Sequence, residues 1–255
     1  QDIFLTETAK LANVVLPAAS FAEKNGTYTN TERRVQLLRK AVPSPGQARS
    51  DWEIVQDLAR ALGAQDWNYT TVEDIQKEIL ALTPSYAGIS YERMGRKGLH
   101  WPCPSLDHPG TPVLHTKQFT RGLGLMKGIP FKEPAELPGK EYPLIMTTGR
   151  LLEQFHTGTM TRKTEGLNRL AGPMVMISVE DAEALGIGNG EKVKVSTRRG
   201  TITAPAFVTK RIGKGTIFIP FHFAESPANQ LTINALDPVA KIPEFKVCAA
   251  NVSKL

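Results

Sequence analysis

The stretch Tyr142-Pro143-Leu144-Ile145-Met146-Thr147-Thr148-Gly149-Arg150 is a hydrophobic run that ends in Thr-Gly-Arg. Its apolar and β-branched residues predict a strand over 143–148. The chain continues into Gln154-Phe155-His156-Thr157-Gly158-Thr159-Met160-Thr161-Arg162, which is rich in hydroxyls, amides and bases. Such groups suit a large, polar, phosphorylated ligand, because hydroxyls and backbone N–H groups contact oxygens and arginine compensates charge. The stretch contains no evident nucleophile, metal cluster or acid/base pair, so it indicates ligand binding rather than a reaction centre.

The C-terminal part of the chain has the pattern of a β-domain. Further strands, each enriched in apolar or β-branched residues, are predicted over 174–177, 192–197, 201–208, 216–221 and 247–252. One helix interrupts them over 178–185, capped by Ser178 and ended by Gly186. Six short strands with a single helix predict a closed β-barrel, since closure removes exposed strand edges.

The N-terminal part mixes short strands and helices. Residues 12–17 predict a short buried strand closed by a proline, and the polar stretch 23–30 predicts turns. A capping box starts a helix at Ser50, which ends at Gly63. A second helix is predicted over 72–82, capped by Thr71.

Prolines and glycines interrupt every periodic pattern from 83 to 140. This spacing predicts a long irregular connection. Trp101 and Phe131 predict that the connection is packed rather than loose. The charged triplet Glu32-Arg33-Arg34 is interpreted as a solvated face rather than as a latch of the cofactor-binding domain.

Composition narrows the possible classes. The 255 residues are 41% hydrophobic and 22% charged, with a net charge of +6 that suits an anionic partner. The basic residues do not alternate with aromatics, so nucleic acid is not an expected partner, and no apolar run is long enough for a membrane span. The two cysteines form no CxxC pair, which fits a reducing cytoplasm. The first residues have no signal pattern and read like the middle of a domain, which indicates a fragment or one piece of a split polypeptide.

Several motifs together resemble one family. The stretch from Thr148 to Arg162 resembles the dinucleotide-binding domain of the molybdopterin oxidoreductases, and 229–232 with 237–246 is similar to that family's C-terminal end. Upstream, 12–17 and 23–36 look like its third domain. The middle, 91–104, is most similar to formate dehydrogenase catalytic (alpha) subunits. The likeness covers essentially the whole chain.

The resemblance implies an α/β plus β fold with three parts. Residues 1–83 would be the C-terminal part of the α/β molybdopterin oxidoreductase domain, 84–140 an irregular connection, and 141–255 a six-stranded double-psi-type β-barrel that binds the molybdopterin dinucleotide.

The resemblance also implies a cofactor and partners. The cofactor is bis(molybdopterin guanine dinucleotide), bis-MGD, with molybdenum or tungsten, and a 4Fe-4S cluster is expected in a missing N-terminal portion. The metal-ligating cysteine or selenocysteine has no counterpart at Cys103 or Cys248. Implied partners are that N-terminal portion, on the same or a separate chain, and electron-transfer iron–sulfur or flavin subunits.

Residues that would contact the cofactor follow from the same resemblance. Asp51 would accept hydrogen bonds from guanine, although an acid in a first helical turn is also favoured by the helix dipole. The others are expected to line the pterin dinucleotide: Thr148, Gly149, Arg150, Leu151, Gln154, Phe155, His156, Thr157, Phe221, Asn229, Phe245 and Lys246. The structural alternatives are a solvated turn after a strand, an Asn that caps a turn and an exposed Lys. No residue is assigned to catalysis or to metal ligation.

The remaining histidines are given smaller roles. His100, His108 and His115 have no ligand spacing and are interpreted as structural. His222, between two phenylalanines, receives only a weak expectation of bordering the active site.

The expected function is that of a formate dehydrogenase, in which this region holds the cofactor while the metal interconverts formate and CO₂. Two alternatives remain open. One is a nitrate reductase-like enzyme of the same family, and the other is a non-catalytic subunit that completes another chain's active site.

Overall fold

Two units of different architecture make up the chain. The computed structural model describes residues 1–255, which divide into Gln1–Lys127 and Gly128–Leu255. The first unit combines helices with a small sheet, and the second is built around a closed barrel. The predicted α/β plus β fold class is confirmed.

Two capped helices dominate the first unit: α1, Asp51–Ala61, and α2, Val72–Leu82. The predicted capping box of Ser50 and Glu53 is present, and within it Glu53 accepts from the backbone N–H of Ser50 at 3.0 Å. At α2 the contacts are reciprocal, because Thr71 and Asp74 each accept the other's backbone N–H, at 3.2 and 3.0 Å. Both predicted helices are confirmed, since local capping chemistry defines where they begin. A short helix, α3, follows over Tyr91–Met94.

A three-stranded antiparallel sheet was not predicted. It comprises β1 (Gly26–Thr29), β2 (Arg34–Leu38) and β3 (Leu99–His100), with β2 in the middle. The prediction of turns over 23–30 is therefore wrong for β1. Thr-Tyr-Thr favours extended backbone once β2 supplies the hydrogen-bond ladder, and the polar composition concealed that preference.

The sheet packs through Val35, which is buried against Ile89, Met94 and Cys103. The interpretation of the neighbouring charged triplet as a solvated face is wrong for Arg33. Its guanidinium donates to the carbonyl oxygens of Thr111 and Pro112, both at 3.0 Å, and of Trp101. Arg33 therefore binds the start of the irregular connection to the sheet.

Two further expectations for the N-terminal part and the connection are wrong. Residues 12–17 form no strand, because only Pro17 makes a bridge, to Asp2, and Val14 is 71% exposed. Phe131 is 87% exposed, whereas Trp101 packs against the small core as expected. The connection predicted over 84–140 contains α3 and β3, and no helix or strand lies between Trp101 and Pro143.

The second unit is a closed six-stranded barrel, as predicted. Its strands are β4 (Leu144–Gly149), β5 (Val175–Ile177), β6 (Lys192–Ser196), β7 (Thr201–Val208), β8 (Thr216–Pro220) and β9 (Cys248–Lys254). The order around the barrel is β4-β8-β5-β7-β6-β9, and β9 pairs with β4 to close it. The pairs β4–β8 and β5–β7 are parallel, and the other pairs are antiparallel.

Alternating side chains fill the barrel. On β4 the residues Leu144, Met146 and Thr148 are buried while their neighbours are not, and on β8 Ile217 and Ile219 are buried on either side of the half-buried Phe218. Helix α5 (Val179–Leu185) follows β5, as expected. Its N-cap is Ser178, and it ends at Gly186, whose φ of +65° suits a residue without a side chain. A short helix, α4 (Glu165–Leu170), precedes β5 and was not predicted.

Glu136 binds the chain before β4 to the barrel. Its Oε1 accepts from Nη1 of Arg199 at 2.7 Å and from Arg198, and its Oε2 accepts from the backbone N–H of Ala249 at 2.9 Å. Burial acts to raise the pKa of this carboxyl. The hydrogen bonds from Arg199, the Ala249 amide and Arg198 outweigh burial and lower the pKa to about 2.

We expect the barrel unit to lose stability in acid, because protonation of Glu136 removes the contribution of its ionised carboxylate. Its pKa is about 2 in the folded state against 4.5 in the unfolded chain, so its contribution is complete above pH 4.5 and is lost as the pH falls to about 2. The measurement is the free energy of unfolding of wild type and Glu136→Gln from neutral pH downwards. The two should differ by about 1 kcal/mol at neutral pH, after screening by solvent, and converge near the folded pKa. A difference that does not change with pH would contradict this expectation.

Candidate functional site

The strands β4 and β8 bring two predicted contact residues together at one end of the barrel. They run parallel with Gly149 opposite Pro220, so the chain leaves both strands at the same end. The next residues are Arg150 and Phe221, and the guanidinium carbon of Arg150 lies 5.3 Å from the centre of the Phe221 ring. This distance is typical of a cation–π contact.

A recess of about 140 Å³ opens at this end of the barrel. Its lining includes Thr157 from the loop after β4, and Phe221, His222 and Asn229 from the chain after β8. Three residues predicted from distant parts of the sequence therefore line one recess. Whole ligand pockets usually measure about 300–1,000 Å³. The recess thus has room for only one part of a larger ligand.

Two polar groups near the recess are free to bind a ligand. The guanidinium of Arg150 and the side-chain amide of Asn229 have no hydrogen-bond partner within residues 1–255, and both residues are exposed. A guanidinium can donate two parallel hydrogen bonds to a phosphate. An amide can both donate to and accept from the edge of a heterocyclic ring. These donors fit a ligand that combines phosphates with a ring such as a pterin.

Gln154 is part of the loop interior rather than its exposed surface. It is buried, its Oε1 accepts from the hydroxyl of Thr161 at 2.7 Å, and its Nε2 donates to the carbonyl oxygen of Leu167 at 3.5 Å. The same Thr161 hydroxyl accepts from the backbone N–H of Phe155, whose ring is exposed. In this structure Gln154 therefore shapes the loop that carries the other predicted contacts.

His222 connects both ends of the segment Leu151–His156. Its ring is 2% exposed, and Nε2 accepts from the backbone N–H of Leu151 at 2.8 Å. The proton is therefore on Nδ1, which donates to the carbonyl oxygen of His156. Sequence reasoning underestimated this residue, although its place between two aromatic residues directly after a strand was a usable signal.

Two predicted contact residues before β9, Phe245 and Lys246, are hydrogen-bonded to Thr148 near the end of β4. The hydroxyl of Thr148 donates to the carbonyl oxygen of Phe245 at 2.9 Å, and the ammonium group of Lys246 donates to the carbonyl oxygen of Thr148 at 2.5 Å. Phe245 is 42% exposed. A Cβ on Gly149 would lie 2.7 Å from Cε2 of Phe218, so the packing of β8 already accounts for this glycine.

Asp51 is the one predicted contact residue that lies in the first unit. It is the first residue of α1, and its carboxylate accepts from Nε2 of Gln1 at 2.5 Å and from the ammonium group of Lys24. Burial is the largest influence on the pKa of Asp51 and acts to raise it, but the hydrogen bond and charge of Lys24 together with the hydrogen bond from Gln1 outweigh burial, and the pKa is lowered. A recess of about 250 Å³ beside it is lined in part by Lys24 and Trp52. An ionised carboxylate has further acceptor positions besides the two in use.

The structure shows no metal site. No group of three or more His, Cys, Asp or Glu residues within residues 1–255 is placed to hold a metal ion. Neither cysteine is disulfide-bonded, and both are buried. None of the helices has both the length and the apolar character that a membrane crossing requires.

Comparison with known protein families identifies the class of both parts. Residues 144–249, which contain most of the barrel and the recess, match the family model described as a molydopterin dinucleotide binding domain. Residues 1–61 match the model described as molybdopterin oxidoreductase. The chain belongs to the molybdopterin oxidoreductase family, and a molybdopterin is the cofactor class that its barrel binds.

Individual relatives refine this assignment. The chain is 52% identical to F420-dependent formate dehydrogenase 1 subunit alpha of Methanococcus maripaludis and 53% identical to F420-dependent formate dehydrogenase subunit alpha of Methanocaldococcus jannaschii. Both alignments cover 100% of this chain and 38% of the relative. The resemblance to formate dehydrogenase alpha subunits is confirmed, and the chain spans well under half the length of these relatives.

More distant relatives share the same region. The assimilatory nitrate reductase catalytic subunit of Bacillus subtilis is 41% identical over 98% of this chain and 37% of that protein. The solved structure of acetylene hydratase from Pelobacter acetylenicus has a TM-score of 0.69 at 18% identity, and the match covers 99% of this chain and 39% of that one. This last similarity supports the fold alone.

Proposed function

We propose that this chain is the cofactor-holding C-terminal region of the catalytic subunit of a formate dehydrogenase. Its cofactor would be bis-MGD with molybdenum or tungsten. The observation that carries the proposal is the free guanidinium of Arg150 and amide of Asn229 beside the recess lined by Thr157 and Phe221. The identity to formate dehydrogenase alpha subunits along the whole chain supports the choice of substrate.

The residues of the site would bind different parts of the cofactor. In the barrel unit, Arg150 would compensate the charge of a diphosphate and Asn229 would contact a pterin edge. In the first unit, Asp51 would accept hydrogen bonds from a guanine base of the cofactor. The bound metal–pterin group would supply the two-electron redox chemistry between formate and CO₂. The other predicted residues of the barrel end shape or line the same surface: Thr148, Gly149, Leu151, Gln154, Phe155, His156, Thr157, Phe221, Phe245 and Lys246.

The proposal extends to the domain organisation and to partners. Residues 1–83 belong to the α/β molybdopterin oxidoreductase domain, 84–140 connect, and 141–255 form the binding barrel. The metal ligand, a 4Fe-4S cluster and electron-transfer iron–sulfur or flavin subunits belong to the remainder of the assembly. The protein would be located in the cytoplasm, where the two cysteines would remain free thiols.

The decisive experiment analyses the purified full-length protein. Acid treatment should release a guanine nucleotide and a pterin, both identified by mass spectrometry, and the protein should reduce a dye with formate. Because a nitrate reductase is 41% identical, nitrate is the matched second substrate. Activity with nitrate but not with formate would rule out formate as the substrate. A guanine-containing protein that is inactive with both would favour a non-catalytic subunit.

Asp51→Asn is expected to weaken retention of the guanine nucleotide by about 1–2 kcal/mol, because an amide replaces one acceptor oxygen with a donor. The measurement is guanine nucleotide per protein after dilution, beside the thermal midpoint of the cofactor-free protein. Asp57→Asn is the control, since Asp57 lies on the same helix and pairs with Arg49 at 2.7 Å. An equal loss of thermal stability in Asp51→Asn, without any loss of nucleotide, would assign Asp51 to the helix alone.

A further inference from the structure

The turn that presents Asn229 is held through one buried carbonyl group. Asn229 lies in a 3₁₀ turn, Ala228–Gln230, which ends at Leu231. The carbonyl oxygen of Leu231 accepts from the hydroxyl of Thr197 at 3.0 Å and from Nη2 and Nε of Arg199 at 2.9 and 3.3 Å. Leu231 is fully buried. The position of the turn is therefore set by the donors that converge on this oxygen.

The turn that presents Asn229 packs closely against the turn between β6 and β7, which limits how far either can move. A Cβ on Gly200 would lie 3.0 Å from the carbonyl oxygen of Gln230, so the β6–β7 turn and the Asn229 turn approach at backbone distance. The hydroxyl of Thr232 also donates to the carbonyl oxygen of Asn229 at 3.1 Å. A shift of Arg199 would thus be transmitted to Asn229.

Arg199 is in turn oriented by Glu136. Its Nη1 donates to the Glu136 carboxylate at 2.7 Å while its other nitrogens face Leu231. A guanidinium is planar and rigid, so the contact on one side fixes the direction of the donors on the other. The side chains of Arg199 and Glu136 are 22% and 13% exposed, which shields the pair from solvent.

The neighbouring residue makes a second contact with the binding end. The backbone N–H of Ala135 donates to Oε1 of Glu244 at 3.2 Å, and Glu244 directly precedes Phe245 and Lys246. Of these two consecutive residues, Ala135 contacts the segment that precedes Phe245 directly, and Glu136 is linked to the Asn229 turn through Arg199. The chain before β4 is more than a spacer.

We infer that Glu136 is a positioning residue for cofactor binding, which acts through Arg199 and Leu231 on the turn that presents Asn229. The inference rests on the proposed function, in which Asn229 contacts the pterin. Glu136 itself touches no part of the recess, so its effect depends on the presence of the Asn229 side chain.

A double-mutant cycle on the full-length holoenzyme tests this dependence. The variants are Glu136→Gln, Asn229→Ala and the double variant, and the readout is the rate at which guanine nucleotide is lost after dilution. We expect Glu136→Gln to accelerate the loss about five- to ten-fold, the effect of one typical hydrogen bond, because Glu136 acts on the cofactor only indirectly. The double variant should lose nucleotide no faster than Asn229→Ala alone, because coupled residues are not additive.

The control is a carboxylate of the same barrel with similar partners. Glu191 accepts from the backbone N–H of Gly188 at 2.8 Å and pairs with Lys254 at 3.3 Å, without contact to the Asn229 turn. Glu191→Gln should leave nucleotide loss unchanged. If Glu136→Gln does not fold, Arg199→Lys replaces it in the cycle, since lysine keeps the charge but cannot hold both acceptors in one plane.

The outcomes separate this inference from the proposed function. Additive effects, or an equal acceleration by Glu191→Gln, would overturn the positioning role while the wild type still contains guanine nucleotide. No effect of Asn229→Ala would overturn it as well. A wild-type protein that contains no guanine nucleotide would overturn the proposed function itself.

Discussion

Alanine in place of Arg150 is expected to weaken cofactor retention by about 1.5–3 kcal/mol, the range for a hydrogen bond to a charged group. The guanidinium has no acceptor within the chain and is placed only by its contact with the Phe221 ring. It therefore contributes little to the stability of the fold and remains available to a phosphate. The measurement is the pterin, guanine nucleotide and metal content of purified variant and wild type.

Two further variants make the Arg150 test specific. Arg150→Lys keeps the charge but not the planar fork, so its retention should fall between that of the wild type and that of the alanine variant. Arg169→Ala removes an exposed arginine that pairs with Glu165 on α4, and it should leave the content unchanged. Full cofactor content in Arg150→Ala would remove this residue from the proposed site.

Replacing His222 by leucine is expected to lower the free energy of unfolding of the barrel unit by about 2–4 kcal/mol. Leucine has a volume similar to that of the imidazole, but it leaves the N–H of Leu151 and the carbonyl of His156 without their partner. The segment between them should then open more often. Native-state hydrogen exchange at the Leu151 amide measures this directly, beside chemical denaturation.

A graded variant separates the two hydrogen bonds of His222. His222→Gln supplies a side-chain acceptor for the N–H of Leu151, and should recover part of the lost stability and protection from exchange. His115→Leu, at an exposed position, is the control and should change neither quantity. Wild-type exchange at Leu151 in the His222→Leu variant would show that the histidine does not hold the loop.

The barrel was predictable because its signals are local. Each strand from β4 to β9 is a short apolar or β-branched run between turn residues, and α5 has its own cap and stop. The small sheet of the first unit was not predictable, because β1 is polar and β2 pairs with β3 across more than sixty residues. The strand expected over 12–17 failed for the converse reason. Apolar composition is insufficient when no neighbouring strand supplies a ladder.

The proximity of two site residues could be predicted from the sequence because each of them directly follows the end of a strand. Arg150 and Phe221 come directly after β4 and β8, so the pairing of those strands brings them together. The roles of His222 and Glu136 depend instead on contacts with residues about seventy and more than sixty positions away. The aromatic neighbours of His222 mark it in the sequence, but no local pattern identifies the distant partners of either residue.

Closure of the barrel limits the ways in which another protein chain can bind to this unit. Every strand of the ring already has a neighbour on both sides, so none can accept the backbone of a visiting strand. Anything that docks on this unit has to recognise loops and side chains. The small sheet differs, because β1 and β3 each keep one side of the backbone unoccupied by another strand of that sheet. Of these two units, only the small sheet of the first therefore offers strand edges to which another strand could be added.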